Sequence, residues 1–136
     1  MSIEDNKTVV RRYQDALNRN DLDALDEVVA ADIRMPDILP GFPQGIEGAK
    51  KIHQRTLAGA PDFHTTIDFM VAEGDYVVSH LTITGTQTGE FFGIPPSGRS
   101  FRFTGISVAR IANGKIVEHR GVEDALGLMR QLGAMT

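Results

Sequence analysis

The apolar positions at the start of the chain recur at the spacing of an α-helix. From Ile3 to Asn18 they share one face and polar residues fill the other, which predicts an amphipathic helix with the apolar positions Val9, Val10, Tyr13, Ala16 and Leu17. Asn20 and Asp21 interrupt this helix and offer a cap for a second one. The second helix is predicted to bury Leu22, Leu25, Val28 and Val29.

The middle of the chain changes from helical to strand periodicity. Residues Pro36 to Gly48 are too rich in proline and glycine for regular structure and predict a loop, with a short strand at Ile33 before it. A third helix is predicted from Glu47 to Leu57. From His64 onward the apolar positions alternate with polar ones, which predicts a strand carrying Ile67, Phe69 and Val71 on one side.

Three further strands and a helix complete the pattern. Tyr76 to Thr88 is rich in Val, Ile and Thr, as strands are. Ser100 to Ala112 and Lys115 to Arg120 are joined by Asn113-Gly114, a strong hairpin signal. A short helix is predicted from Glu123 to Leu132. Helices that cover one face of an antiparallel sheet make an α+β domain, and residues 1–136 are expected to form a single such domain.

The composition excludes several classes of protein and site. The 14 basic residues are not gathered into a patch and are outnumbered by 18 acidic ones, so no nucleic-acid partner is expected. Cysteine is absent, and the four histidines fall on different predicted elements, so no metal site is expected. With neither a secretory signal nor an apolar run of about 20 residues, we expect a cytoplasmic protein without a membrane partner.

The strand from Ser100 to Ala112 indicates where a ligand would bind. Its inner face has bulky apolar ends and a middle of small residues, in the order Phe101, Phe103, Gly105, Ser107, Ala109 and Ile111. Small residues beneath covering helices leave a void, and small-molecule pockets are mostly apolar voids of roughly 300 to 1,000 Å³. The alternative is that Gly105 kinks the sheet and a large neighbouring side chain fills the gap.

The next strand supplies a titratable group. Strict alternation places Val117, His119 and Gly121 on the inner face, and the outer face then carries Ile116, Glu118 and Arg120. His119 would face the void and is the natural proton acceptor there, because imidazole titrates near pH 6.5. The alternative is that His119 is a packed, hydrogen-bonded core residue.

Three segments together resemble the SnoaL-like polyketide cyclases, also called ester cyclases. They read GEFFGIPPSGR over residues 89–99, RIANGKIVEHR over 110–120 and RQLG over 130–133. The resemblance implies a fold similar to nuclear transport factor 2, a cone whose curved antiparallel sheet and N-terminal helices enclose a pocket. It further implies a homodimer and a cofactor-free intramolecular aldol closure in which one acidic side chain shuttles the proton.

The catalytic positions of that family are changed in this chain. The resemblance places the acid/base aspartate at Gly121, and it places the accompanying glutamine and histidine at Gly105 and Ser107. Of the inward row, His119 alone is retained. The family's proton shuttle is therefore absent, and a roomier pocket is expected.

Two functions from different classes follow, and a third remains open. The first is an enzyme acting on a hydrophobic carbonyl compound, a cyclase, isomerase or hydrolase, with His119 as base and Asp124 or Glu118 as its orienting carboxylate. The second is a non-catalytic binding or carrier domain, which Gly121 favours. The third is an interaction module that uses the outer sheet face. The residues expected to line the pocket are Tyr13, His80, Gln87, Phe91, Phe103, Gly105, Ser107 and Gly121.

Asp124 has a structural role as an alternative to the catalytic one. Asp124 opens the last predicted helix, where a carboxylate stabilises the helix N-terminus, so a capping role competes with a catalytic one.

Ile106 and Val108 point away from the void and would expose apolar surface, so a homodimer through the outer face is expected, with Arg102 and Arg110 at its rim.

Overall fold

The computed structural model describes residues 2–134, so the ends of the expected domain, residues 1 and 135–136, lie outside the described part. Helices and strands follow nearly the predicted order. The elements are α1 (Ile3–Asn18), α2 (Leu25–Val28), β1 (Val29–Arg34), α3 (Ile46–Gly59), β2 (His64–Glu73), β3 (Tyr76–Thr86), β4 (Ser100–Ala112), β5 (Lys115–Glu123) and α4 (Ala125–Gln131).

The five strands form one curved, unclosed sheet in the order β1-β5-β4-β3-β2. The α+β class and the covering N-terminal helices are confirmed, but the sheet is mixed and not purely antiparallel. Strands β2 to β5 are antiparallel neighbours, whereas β1 pairs with β5 in parallel. Two-residue turns join β2 to β3 and β4 to β5, which forces antiparallel pairing within each of these pairs, whereas the longer segment 87–99 joins β3 to β4. No hairpin constrains β1, which is distant from β5 in sequence.

The element ends show how local chemistry sets the boundaries. Ser2 and Asp5 form a reciprocal capping box at the start of α1. The second predicted helix is a single turn, and Val29 already belongs to β1. Strand β5 runs to Glu123, three residues beyond its predicted end, so α4 begins later than expected.

The core consists of two apolar clusters on the inner face of the sheet. The first packs α1, α2 and β1 against the Val77 and Ala109 ends of β3 and β4. The second lies under the segment 89–99 and α4 and contains Phe91, Phe101 and Phe103. Between the clusters the inner face carries smaller and more polar residues, and this gap positions the candidate site.

The outer face and the β2 edge differ from this core. The register between β2 and β3 shifts between Ile67 and Phe69, so Asp68 forms a bulge. Its carboxylate lies on the outer face, where it accepts a hydrogen bond from Thr82 at 2.8 Å. No helix among residues 2–134 is both long and apolar enough to cross a membrane.

Candidate functional site

A small cavity lies between α1 and the inner face of the sheet. Its volume is about 10 Å³, far below the size expected from the sequence, because side chains of α1, Ile67 and Leu81 fill most of the gap. The lining residues are Val10, Tyr13, Gln14, Ile67, Ser79, Leu81, Ser107, Ala109, Ile116 and His119. The lining therefore combines apolar side chains with polar groups on both the helix side and the sheet side.

His119 is the titratable base of this cavity. Strand β5 sets it opposite Ala109, and its ring lies 5.7 Å from that of Tyr13 at an angle of 44°. Burial lowers the pKa of His119 below its ordinary 6.5, and the charge of Asp37 opposes this shift only in part. The imidazole is therefore neutral at pH 7 and able to accept a proton.

Asp37, in the loop after β1, is the carboxylate whose charge acts on His119, a role that sequence analysis assigned to other carboxylates. Its Oδ2 accepts a hydrogen bond from the backbone N–H of Gly121 at 3.3 Å, which ties the loop to β5. Sequence analysis missed this residue. Asp37 lies in a loop, where no periodic pattern predicts contacts, and its partner Gly121 is 84 residues away in the sequence.

The structure does not bring Glu118 or Asp124 to His119, and both assignments as orienting carboxylate need correction. Glu118 precedes His119 on the strand and so lies on the outer face, where it bonds Arg120 Nε at 2.9 Å and Arg34 Nη1 at 3.4 Å. Asp124 instead caps α4, its Oδ1 accepting from the Gly127 backbone N–H at 2.9 Å. The competing capping interpretation of Asp124 agrees with this contact.

A β-bulge in β5 corrects the predicted alternation of faces. Arg110 pairs with Glu118, but the next residue of β4 pairs with Ile116, so Val117 is left without an opposite partner. The bulge turns Ile116 inward, where it is fully buried and lines the cavity together with His119. Strict alternation placed these two side chains on opposite faces and was wrong for Ile116.

The three small positions of the inward row differ in what surrounds them. Ser107 lines the cavity. Gly105 does not, because a Cβ there would lie 3.1 Å from Cγ of Glu123, whose side chain covers it. The alternative that a neighbour fills this gap is correct. At Gly121 a Cβ would meet nothing closer than 3.9 Å, so this position has room for a side chain.

Glu123 is the second titratable residue of the inner face, and sequence analysis missed it. It pairs with Gly105 and lies two residues beyond Gly121, on the same side of β5. The residue as a whole is exposed to solvent, but neighbouring protein atoms partly desolvate its carboxyl, and this desolvation raises its pKa. Extending the inward alternation of β5 by one more step would have found it.

Replacing Glu123 by glutamine is expected to raise stability at neutral pH. A carboxyl whose folded-state pKa is raised adds stability in acid and loses that contribution as the pH rises through the folded-state value. The variant should therefore melt higher than the wild type at pH 7, and the difference should close as the pH falls below about 4.5. Thermal unfolding across this range measures it. An equal difference for Glu73→Gln, at the exposed end of β2, would contradict burial as the cause.

The remaining residues predicted to line the pocket are divided among three places. Tyr13 lines the cavity, and burial raises its pKa to about 12. His80 lies on the outer face, where Nδ1 is 2.9 Å from Asp68 Oδ2. Phe91 and Phe103 belong to the second apolar cluster and do not reach the cavity.

Gln87 is fully buried but holds a loop and does not line the cavity. Its Nε2 donates to the Ile94 carbonyl at 2.9 Å, and its Oε1 accepts from Ser97 Oγ at 2.7 Å. Its backbone also bonds Gly98 and Arg99. The side chain thus fixes the segment 89–99 over the second cluster.

A metal site needs several ligands that converge on one point. Within the described part of the chain, no group of three or more histidine or acidic side chains converges in this way. The titratable side chains described above on the inner face are His119 and Tyr13 in the cavity and Glu123 beyond Gly121.

The chain is similar in sequence to named cyclases. It shares 31% identity over 128 residues with the aklanonic acid methyl ester cyclase DnrD of Streptomyces peucetius, covering 92% of this chain and 88% of the relative. Over 60 residues, 44% of this chain and 45% of the relative, it is 38% identical to the nogalonic acid methyl ester cyclase of Streptomyces nogalater.

Solved structures agree with these sequence relatives. TsrD from Streptomyces laurentii superposes with a TM-score of 0.91 at 33% identity, covering 99% of both chains. IdmH from Streptomyces antibioticus superposes with a TM-score of 0.82 at 34% identity, covering 94% of this chain and 98% of that one. The family model for SnoaL-like polyketide cyclases matches residues 7–132. With that match spanning nearly its whole length, the chain belongs to the SnoaL-like polyketide cyclases.

Proposed function

We propose that this protein binds a small hydrophobic carbonyl compound on the inner face of the sheet and transforms it without a cofactor, with His119 as general base. The observation that carries the proposal is the position of His119: a neutral imidazole in an apolar cavity, beside the protonated phenol of Tyr13. A base of lowered pKa in such a cavity is typical of proton abstraction. The reaction class that fits it best is the intramolecular aldol closure that the family resemblance implies, and the relatives are named as methyl ester cyclases.

The chemistry needs one base and balances without a co-reactant. The His119 ring nitrogen takes a proton from a C–H bond next to a carbonyl, and the electron pair of that bond moves onto the carbonyl oxygen as an enolate. The enolate carbon attacks a second carbonyl of the same molecule, which forms the new C–C bond and an alkoxide. The imidazolium returns its proton to this alkoxide. General base catalysis of this kind contributes about 10²- to 10⁴-fold, enough for an activated carbon acid.

Ligand entry requires the cavity to open. Its volume of about 10 Å³ holds no ring system, and side chains of α1, among them Tyr13 and Gln14, close it on the helix side. The space at Gly121 continues the inner face toward Glu123. A ligand that displaces the Gln14 side chain and lies over Gly121 would have His119 on one side and Glu123 on the other.

The direct test is incubation with aklanonic acid methyl ester, followed by chromatography, because aldol closure gives an isomer of unchanged mass. We expect conversion above the rate in buffer and a raised melting temperature with the ester. Stabilisation without conversion would instead support the carrier alternative that Gly121 favours. If the ester is not converted and does not raise the melting temperature, the proposal is contradicted for this ester.

We further propose that the protein is a homodimer joined through the outer sheet face. This face carries large exposed apolar side chains on three strands: Phe69 is 60% exposed, Ile106 49% and Val122 74%. In this cross-strand row His80 lies between Phe69 and Ile106. The neighbouring row continues the apolar surface with Val71 and the half-buried register partners Val78 and Val108. A contiguous apolar surface of this kind is typical of an interface between subunits.

Substituting lysine at both Ile106 and Val122 is expected to halve the mass of the particle in solution. Two charges buried at the centre of the interface would have no partners, which disfavours association strongly. Size-exclusion chromatography with light scattering measures the mass. Leu39→Lys, in the loop after β1 and 44% exposed, is the matched control and should leave the dimer intact. A wild-type monomer at micromolar concentration would contradict the proposal.

A further inference from the structure

A row of small residues crosses the inner face of the sheet at the cavity. Ser79 on β3 is the register partner of Ser107 on β4, and Ser107 is the register partner of Gly121 on β5. Directly opposed residues in an antiparallel pair hold their Cβ atoms about 4.5 to 5.5 Å apart. The two serine side chains are therefore neighbours, and both line the cavity.

The Ser79 hydroxyl has no hydrogen-bond partner among residues 2–134, although the side chain is completely buried. Buried hydroxyl groups are almost always hydrogen-bonded, because an unpaired one loses its contacts with water and gains nothing in return. Alanine would pack equally well at this position. An unpaired donor that faces a cavity is thus suited to bind an atom that enters the cavity.

Tyr13 adds a second kind of donor on the opposite wall. Helix α1 brings its ring to the cavity beside His119, and a phenol whose pKa is about 12 keeps its proton at any physiological pH. The serine hydroxyl groups on the sheet and the phenol on the helix can all donate hydrogen bonds to an acceptor oxygen of a ligand. The rest of the lining is mainly apolar and suits the carbon frame of a ligand.

We propose that Ser79 and Ser107, faced by Tyr13, form a binding site for the carbonyl oxygen of the ligand. This inference rests on the proposed function and specifies it. When His119 removes the neighbouring proton, negative charge develops on that oxygen, and donors already placed at it stabilise the enolate. Ser79 is the principal donor, because its hydroxyl makes no competing bond within the protein.

The kinetic test compares Ser79→Ala with the wild type on aklanonic acid methyl ester. Removing one donor to a developing oxyanion is expected to lower kcat by about 10²- to 10³-fold, with KM changed by less than about tenfold. The melting temperature should not fall, because the lost hydroxyl has no partner. Ser100→Ala, exposed on the outer side of β4, is the matched control and should keep full activity. An unchanged kcat, or a lowered melting temperature, for Ser79→Ala would overturn the proposal.

A second test needs no substrate and so separates this proposal from the proposed function. A cavity of about 10 Å³ with polar groups has room for about one water molecule. High-resolution crystal structures should show an oxygen atom within hydrogen-bond distance of Ser79 Oγ in the wild type and none at that position in Ser79→Ala. A dry cavity in the wild type would overturn the oxygen site. If the wild type does not convert the ester, the proposed function is contradicted for this ester. The oxygen-binding site at Ser79 and Ser107 is then tested by the crystal structures alone.

Discussion

Replacing His119 by glutamine is expected to lower turnover of aklanonic acid methyl ester by about 10²- to 10⁴-fold while ligand affinity changes only a few fold. Glutamine keeps much of the shape of the imidazole but accepts no proton at neutral pH. The matched control is His64→Gln at the exposed start of β2, where the same substitution should have no effect on turnover. Unchanged turnover in His119→Gln would show that His119 is a structural residue and would remove the main support for catalysis.

The pH profile of the wild type carries further information on His119. The base acts in its neutral form, and burial lowers its pKa below 6.5, so activity should be complete at neutral pH and fall only in the acid range. Asp37 opposes this shift, so Asp37→Asn should move the acid limb to still lower pH. If activity of Asp37→Asn falls at the same pH as in the wild type, Asp37 is excluded as the charge acting on His119.

The reciprocal variant places a carboxylate at Gly121. The structure leaves room there, since a Cβ would meet no atom closer than 3.9 Å and His119 Cε1 lies at 4.0 Å. The family resemblance places the cyclase acid at this position. Gly121→Asp should therefore fold and raise turnover of the ester. Binding of the ester without any gain in turnover would favour the carrier alternative.

Replacing Gln87 by alanine is expected to lower the free energy of unfolding by about 3 kcal/mol. The substitution removes two side-chain hydrogen bonds that hold the segment 89–99 and leaves the Ile94 carbonyl without its partner. It also opens a cavity, because the side chain is completely buried. Chemical denaturation measures the change.

Gln131→Ala is the matched control for this prediction. Gln131 also bridges a backbone, accepting from Arg102 N–H and donating to the Arg102 carbonyl, both at 2.7 Å. It is exposed, so water replaces those bonds, and the expected loss is below about 1 kcal/mol. Similar losses in the two variants would contradict burial as the source of the Gln87 contribution.

Local sequence signals predicted most of the fold because each acts over a few residues. Asn113 and Gly114 adopt φ values of 52° and 76°, as a tight hairpin turn requires, and this turn fixes β4 beside β5. The inner face of β4 is buried in the alternation that its sequence predicts. The parallel pairing of β1 was missed, because no short-range signal specifies which strand an isolated edge strand will join.

The site was harder to predict because it depends on irregularities and on distant contacts. One bulge in β5 moved Ile116 to the inner face, and a bulge has no reliable sequence signature here. Asp37 reaches β5 from a loop, and Ser79 faces the cavity only because β3 pairs with β4 in one particular register. His119 was found because strand alternation and the family motif agreed on it.

The bulge at Asp68 bears on how the protein stays in solution. Strand β2 ends the sheet, and an edge strand with unpaired backbone groups and apolar side chains is a template for uncontrolled pairing with other chains. Phe69 and Val71 supply such side chains on this edge. The bulge shifts the register between β2 and β3 next to them, and such bulges twist an edge strand away from regular pairing with another chain. The Asp68 carboxylate adds a charge on the outer face at the same point. This edge is therefore a poor seed for aggregation, despite its apolar composition.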